Sequence, residues 1–394
     1  MQQPAHHRSP IFLALLFSVL APTAARACFT DQPAASTVQT RTVIRKQGDD
    51  GVHTYRIPGL TTSRQGTLLA VFDLRLENSR DLPGNIDVGL IRSTDHGATW
   101  TPMQTILNFD HKEPGSSGNG VGDPAILADP RTGKIFVAAL WSNGNRGWNG
   151  SGPGLLPTET GQLVLTVSDD DGVTWSAPIN ISATVRGRQS DWRLFFNGPG
   201  RGIALRDGTL VFAAQYREAS GVPHSCLIFS RDAGTTWTVS APAIPGTPPT
   251  SESQVAELTD GHLLLTMRDE SRSGQRAWAR FEWNQNHTDG TWSQHWSTVP
   301  DPTCMASLLS LPDGGLLLCN PNSAKQRTAL TVRYSSDNGK TWNSGLLIDG
   351  RPCAYSCLTQ LQDGRIGVLY ETGDKSSVET LTFTTFPVNA VTKK

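Results

Sequence analysis

The 394-residue chain has a formal net charge of −1 and no basic tract, which argues against nucleic acid as a partner. Its 38 Gly, 25 Pro and 11 Trp sit among short Val/Leu/Ile/Phe runs, a composition of many strands joined by tight turns rather than of long helices. No segment reaches the roughly 20 consecutive apolar residues that a membrane-spanning helix needs.

The chain opens on a targeting pattern. A weakly basic start (His6, His7, Arg8), an apolar run from Ile11 to Ala21 and small residues ending in Ala25-Arg26-Ala27 are the order of a secretory signal peptide. The expectation is a signal over 1–27, a single domain over 28–394, and a secreted or periplasmic monomer. Six Cys in an oxidising compartment make disulfides possible, but their spacing is not that of a zinc site, and no metal is predicted.

After Tyr55-Arg56-Ile57-Pro58, two repeats interleave to the end of the chain. In the first, a Gly, usually after Asp, precedes an apolar run: Gly66 before TLLAVF, Gly133 before KIFVAAL, Gly208 before TLVFAA, Gly261 before HLLLTM, Gly314 before GLLLC and Gly364 before RIGVLY. Such a Gly accepts the positive φ of a hairpin turn, so each copy predicts a turn followed by a strand. The second repeat, Ser-x-Asp-x-Gly-x-Thr-Trp, spans Ser93–Trp100, Ser168–Trp175, Ser230–Trp237 and Ser335–Trp342, with a decayed copy over Asn284–Trp292. Its Asp can cap its own turn and its Trp can fill the space between sheets, a structural clasp. Calcium at Asp169-Asp170-Asp171-Gly172 is disfavoured, because the twelve-residue loop needs a Glu where Asn180 stands. Six turn–strand copies predict an all-β fold, a six-bladed β-propeller with four-stranded antiparallel blades. In such a fold a site gathers residues from the whole chain.

The clasp is of the Asp-box type, and with Tyr55-Arg56-Ile57-Pro58 the chain from about Arg41 to Phe386 resembles the sialidase (neuraminidase) family. Asp boxes occur in many propellers; the Tyr-Arg-Ile-Pro segment is the more specific element. Sialic acid carries a carboxylate on its anomeric carbon, and guanidinium groups are suited to gripping one. The resemblance implies a trio of Arg56, Arg268 and Arg327, with Arg333 as a rival for the third place. It implies Tyr355, in Cys353-Ala354-Tyr355-Ser356, as nucleophile, since a phenol escapes the repulsion that a carboxylate nucleophile would meet. A phenol needs a base, which the resemblance places at Glu252, with Glu257 as alternative. It gives the acid/base role to Asp81, with Asp87 as second candidate, and places Arg75 and Asp123 on the sugar's substituents and Glu371 behind Arg56. The acetamido pocket is left open among Trp141, Trp148, Trp192 and Phe195.

The activity so implied is a cofactor-free retaining exo-α-sialidase acting on sialylated glycans or glycolipids. A glycan-binding propeller without catalysis and a trans-sialidase remain as alternatives.

Overall fold

The computed structural model describes residues 41–109, 119–187 and 189–393. The signal segment over 1–27 and Cys28 lie outside them. Among the described residues antiparallel strands dominate, with one 3-10 turn (Asp49–Gly51) and two short helices (Ser182–Arg186 and Asn389–Thr392).

Each sheet is a meander in chain order. The first runs Thr54–Thr62, Leu68–Arg75, Ile86–Ser93, Gln104–Leu107. The second runs Gly120–Ala128, Ile135–Ser142, Gln162–Ser168, Ile179–Asn180, and accepts Gly200–Arg201 in parallel on its first strand. The third is Leu194–Asn197, Leu210–Arg217, Pro223–Ser230, Thr238–Val239, with Ile203–Ala204 also paired to its second strand. The fourth is Thr250–Glu257, Leu263–Asp269, Gln275–Trp283, Gly290–Pro300. The rest join in a seven-stranded sheet, because the 15-residue strand Leu346–Gln360 pairs first with Thr328–Ser335 and then with Ile366–Thr372. Thr42–Lys46 completes that sheet by pairing with the last strand, Thr380–Phe386.

Both repeats fall on fixed places in this meander. Gly66, Gly133, Gly208, Gly261, Gly314 and Gly364 all turn first strand into second, with φ between 82° and 91°. The four Asp boxes turn third strand into fourth and repeat one hydrogen-bond set: Ser Oγ donates to Asp, the Gly N–H donates to Ser Oγ, and the Thr N–H and hydroxyl donate to Asp. These donors hold Asp95 and Asp170 down at about 2, the Thr hydroxyls first among them. Asn284–Trp292 occupies the same kind of turn, with Asn284 capping Thr288. At the calcium-like run, Asp170 serves its box, Asp171 accepts from Thr67 and pairs with Arg92, and Asp169 pairs with Lys134.

The core lies between neighbouring sheets rather than inside any one of them. Phe136 and Leu165 of the second sheet pack on Phe212 and Ile228 of the third; Leu264 and Trp278 of the fourth pack on Leu308 and Leu318. The box tryptophans fill these seams: Trp100 meets Phe383 edge-on at 5.3 Å, Trp237 lies 5.5 Å from Phe212, and Trp342 stacks on Trp278 at 5.3 Å. The five described cysteines, Cys226, Cys304, Cys319, Cys353 and Cys357, are buried free thiols, so the possibility of disulfides is not realised among the described residues.

Candidate active site

Three strands that open their sheets, and the long strand Leu346–Gln360, share a local defect. Pairing slips at Arg56/Gly59, Gly122/Ala125, Thr250/Ser253 and Cys353/Ser356. A bulge releases a side chain from the ladder and re-aims it; here bulges hold Asp123, Glu252 and Tyr355, and Arg56 is the last paired residue before the first of them. Ile57 and Asp123 sit at φ 56° and 55°, a region that L-residues, and a β-branched one above all, rarely adopt. Strain of this kind gathers at functional sites.

The four residues open into a cavity of about 320 Å³, lined also by Asp81, Arg268 and Arg327. Tyr355 is its centre. The phenol donates a short hydrogen bond to Glu252, and Arg268 Nη1 donates to Tyr355 Oη at 3.2 Å and to Glu252 at 3.0 Å. The guanidinium carbons of Arg56 and Arg327 lie 5.2 and 5.8 Å from the centre of the Tyr355 ring, within cation–π range. Burial and the Glu252 carboxylate push the phenol well above its ordinary value, while Arg268 and Arg327 pull it down. Three permanent cations and a neutral phenol therefore share one pocket.

Glu371, fully buried, ties the arrangement together. Its carboxylate accepts Arg56 Nε at 2.9 Å and Arg56 Nη2 at 3.2 Å, the Ile57 N–H at 2.8 Å and the Tyr355 N–H at 3.1 Å. Arg327 donates to Thr303 O at 3.1 Å and has no ion pair among the described residues, so its charge is available to a ligand. The rival Arg333 is buried elsewhere and donates to Asn320; Glu257 pairs with Arg206; Asp87 accepts from Asn108. None of these three lines the cavity.

Asp81 stands on the rim, on the exposed loop between Leu68–Arg75 and Ile86–Ser93. Its carboxylate lies 2.8 Å from Arg75 Nη1 and 3.8 Å from Arg56 Nη1. Desolvation acts to raise it, but these two guanidinium groups outweigh that and hold it below the usual carboxylate range. Arg75 is fully buried beside this rim; its guanidinium is held by Asp73 and the Ser79 carbonyl and reaches Asp81 at 2.8 Å. Asp123 does line the cavity, and burial, then Asp73, Asp81 and Glu252, push it well above its ordinary value.

Of the four aromatic candidates, Trp148 faces the cavity, beside Leu82, Leu140 and Phe196. Trp141 stacks on Phe109, Trp192 on Tyr216, and Phe195 belongs to the core between the second and third sheets. Sequence reasoning missed Gln215, Ser251 and Glu270 as lining residues. Glu270 was within reach: two residues beyond Arg268 on an extended run it shares the same face, and it pairs with Arg268 Nε at 2.9 Å. Gln215 has no such signal.

The chain as a whole is similar to known proteins. Residues 66–368 match the BNR repeat-like domain. A sialidase of Bacteroides fragilis is 42% identical over 86% of this chain, which spans 63% of that protein's length. A sialidase of Paraclostridium sordellii is 30% identical, with 83% of this chain matched to 84% of that protein. Among solved structures, the Hadza microbial sialidase Hz136 superposes with a TM-score of 0.82 at 42% identity, covering 90% of this chain and 69% of that one. Together with guanidinium groups drawn from distant strands onto one tyrosine, these matches make the chain a BNR-repeat β-propeller that belongs to the sialidase family.

Proposed function

We propose that this protein is an exported, retaining exo-α-sialidase that removes terminal sialic acid from glycans or glycolipids, on a propeller of six four-stranded blades. The seven-stranded sheet counts as two blades joined through Leu346–Gln360, whose two halves serve as the outer strand of one and the inner strand of the next. The observation that carries the activity is the convergence of Arg56, Arg268 and Arg327 around Tyr355 with its phenol bonded to Glu252.

In this reading the three guanidinium groups grip the substrate carboxylate, which sets the anomeric carbon over the phenol. Tyr355 Oη bonds to that carbon, its proton passes to Glu252, the bond to the leaving oxygen breaks, and Asp81 delivers a proton to that oxygen. Water then attacks the same carbon, Asp81 takes its proton, and Tyr355 leaves and recovers its own from Glu252. Two displacements on one carbon retain its configuration. Asp81 begins ionised, but a bound carboxylate neutralises part of the Arg56 charge that holds it down, which favours the protonated acid when substrate is present.

The test is hydrolysis of an aryl α-sialoside by the purified protein and by Tyr355→Phe. Activity with the α-anomer released first, and a loss of at least about 10³-fold in the variant, are expected. An inactive parent over a broad pH range leaves a glycan-binding propeller as the better reading. Sialylated lactose as the main product when lactose is added identifies a transferase.

A further inference from the structure

The channel ringed by the first strands does not run open from end to end. The segment from Gly198 to Gly202, which crosses from Leu194–Asn197 to Ile203–Ala204 as an inward bulge of the third sheet, fills it so closely that a Cβ on Gly59 would lie 2.5 Å from the Gly200 carbonyl and one on Gly198 would lie 2.5 Å from the Ser253 carbonyl. The candidate active site lies on one side of this crossing. On the other, a second cavity of about 300 Å³ is lined by the far ends of the same strands, among them Thr61, Ser63, Ser310 and Thr359. Arg56 and Thr61 face partners four residues apart, Asp73 and Leu69, a separation of about 13 Å along the strand, so the two cavities are distinct.

Arg201 hangs from the crossing segment into this second cavity. Among the described residues it makes no hydrogen bond or ion pair through its side chain, and its Nε is buried without a partner. Arg201 as a whole is partly exposed, but a guanidinium is never neutral at physiological pH, and its buried Nε is desolvated at a cost unless an acceptor enters the cavity. Among the described residues none supplies one. Glu257 lines the cavity, but both its oxygens are held by Arg206. The Cys357 thiol is pushed up to about 11 by burial and is neutral. Arg64 adds a second positive charge to the lining.

We infer that this second cavity binds a small anion, a halide, phosphate or simple carboxylate, on the Arg201 guanidinium. The hydroxyls on the surrounding strand ends can donate to the same ion. The ion would add a tie between strand ends from several sheets, remote from the candidate active site, so its effect falls on stability and not on turnover. The inference is independent of the proposed activity.

The test is thermal unfolding of the full protein in a HEPES–sodium gluconate buffer, with sodium bromide, sodium phosphate or sodium acetate exchanged for gluconate at constant ionic strength. The expected result is a saturable rise in Tm of about 2 °C or more with at least one of them, lost in Arg201→Gln. Crystals of the unsubstituted protein soaked in bromide cover the case in which the variant does not fold: an anomalous peak against the Arg201 guanidinium is expected. A rise of equal size in Arg201→Gln, no saturable rise with any of the three salts, or water alone beside Arg201 in the bromide crystal overturns the inference.

Discussion

Glu371 holds Tyr355 by its backbone, accepting the Tyr355 N–H at 3.1 Å while the same carboxylate accepts the Arg56 guanidinium. One buried group thus sets both the direction of the proposed nucleophile and that of the cation beside it. Glu371→Gln keeps the shape but removes the charge and turns one acceptor into a donor facing N–H groups. Breaking a buried pair from one side costs about 3–5 kcal/mol. The expected result is a lower Tm together with a fall in kcat/KM of at least about 10²-fold on an aryl α-sialoside; a variant that melts lower yet turns over normally would confine Glu371 to a structural part.

Asp81 is placed to protonate a leaving group, so its loss should depend on what leaves. Asp81→Asn is expected to lower kcat/KM on sialyl-lactose by about 10²–10⁴-fold and to spare most of the activity on a nitrophenyl sialoside, whose leaving group needs little help. Equal losses on the two substrates would contradict the acid role.

The raised Asp123 has a consequence for pH and stability. Folded Asp123 keeps its proton to higher pH than the unfolded chain, where a carboxyl titrates near about 3.9, so between those two values the folded state binds more protons and loses stability as pH rises. Asn is isosteric, never ionises, and tolerates the left-handed backbone at this position. Asp123→Asn should therefore gain Tm relative to the parent as pH rises from 4, the gain levelling off above the folded value. A Tm difference that stays constant from pH 4 to 8 would show that Asp123 titrates normally.

Two glycines of nearly equal φ separate backbone strain from packing. Gly364 (φ 84°) has open space around a would-be Cβ, whereas at Gly97 (φ 88°) that atom would lie 2.1 Å from the Phe383 ring. Gly364→Ala should cost about 1–2 kcal/mol from the left-handed backbone alone. Gly97→Ala should cost about 1–3 kcal/mol more, through overpacking at a seam between sheets. Paired denaturant melts measure the difference, and equal midpoints would mean that the seam yields easily.

What could be read in the sequence was whatever repeats or sits in a fixed local pattern. The six turn glycines and the four Asp boxes are local devices, and they fall where their spacing put them. Arg56, Glu252, Arg268, Arg327 and Tyr355 were found because short segments around them resemble a family. The burial of Arg75 was not legible in the sequence: beside Asp73, two residues away on the same face of the strand, its guanidinium is drawn inward. Phe196 was passed over for Phe195, since strand alternation alone does not say which of two adjacent aromatics faces a cavity. Gln215 and Arg201 became visible only in three dimensions, as polar atoms with nothing to bond.

The pairing of Thr42–Lys46 with Thr380–Phe386 gives biosynthesis a direction. A nascent chain must carry Thr42–Lys46 unpaired until the segment up to Phe386 has been made, because its partner lies more than 330 residues further on. Until then both flanks of the incomplete ring present open ladder groups. The final association is among the most non-local in the molecule and cannot be hurried by local order. The fold is thus closed like a clasped bracelet, and release of Thr42–Lys46 leaves Thr380–Phe386 with one open edge, held only by Ile366–Thr372.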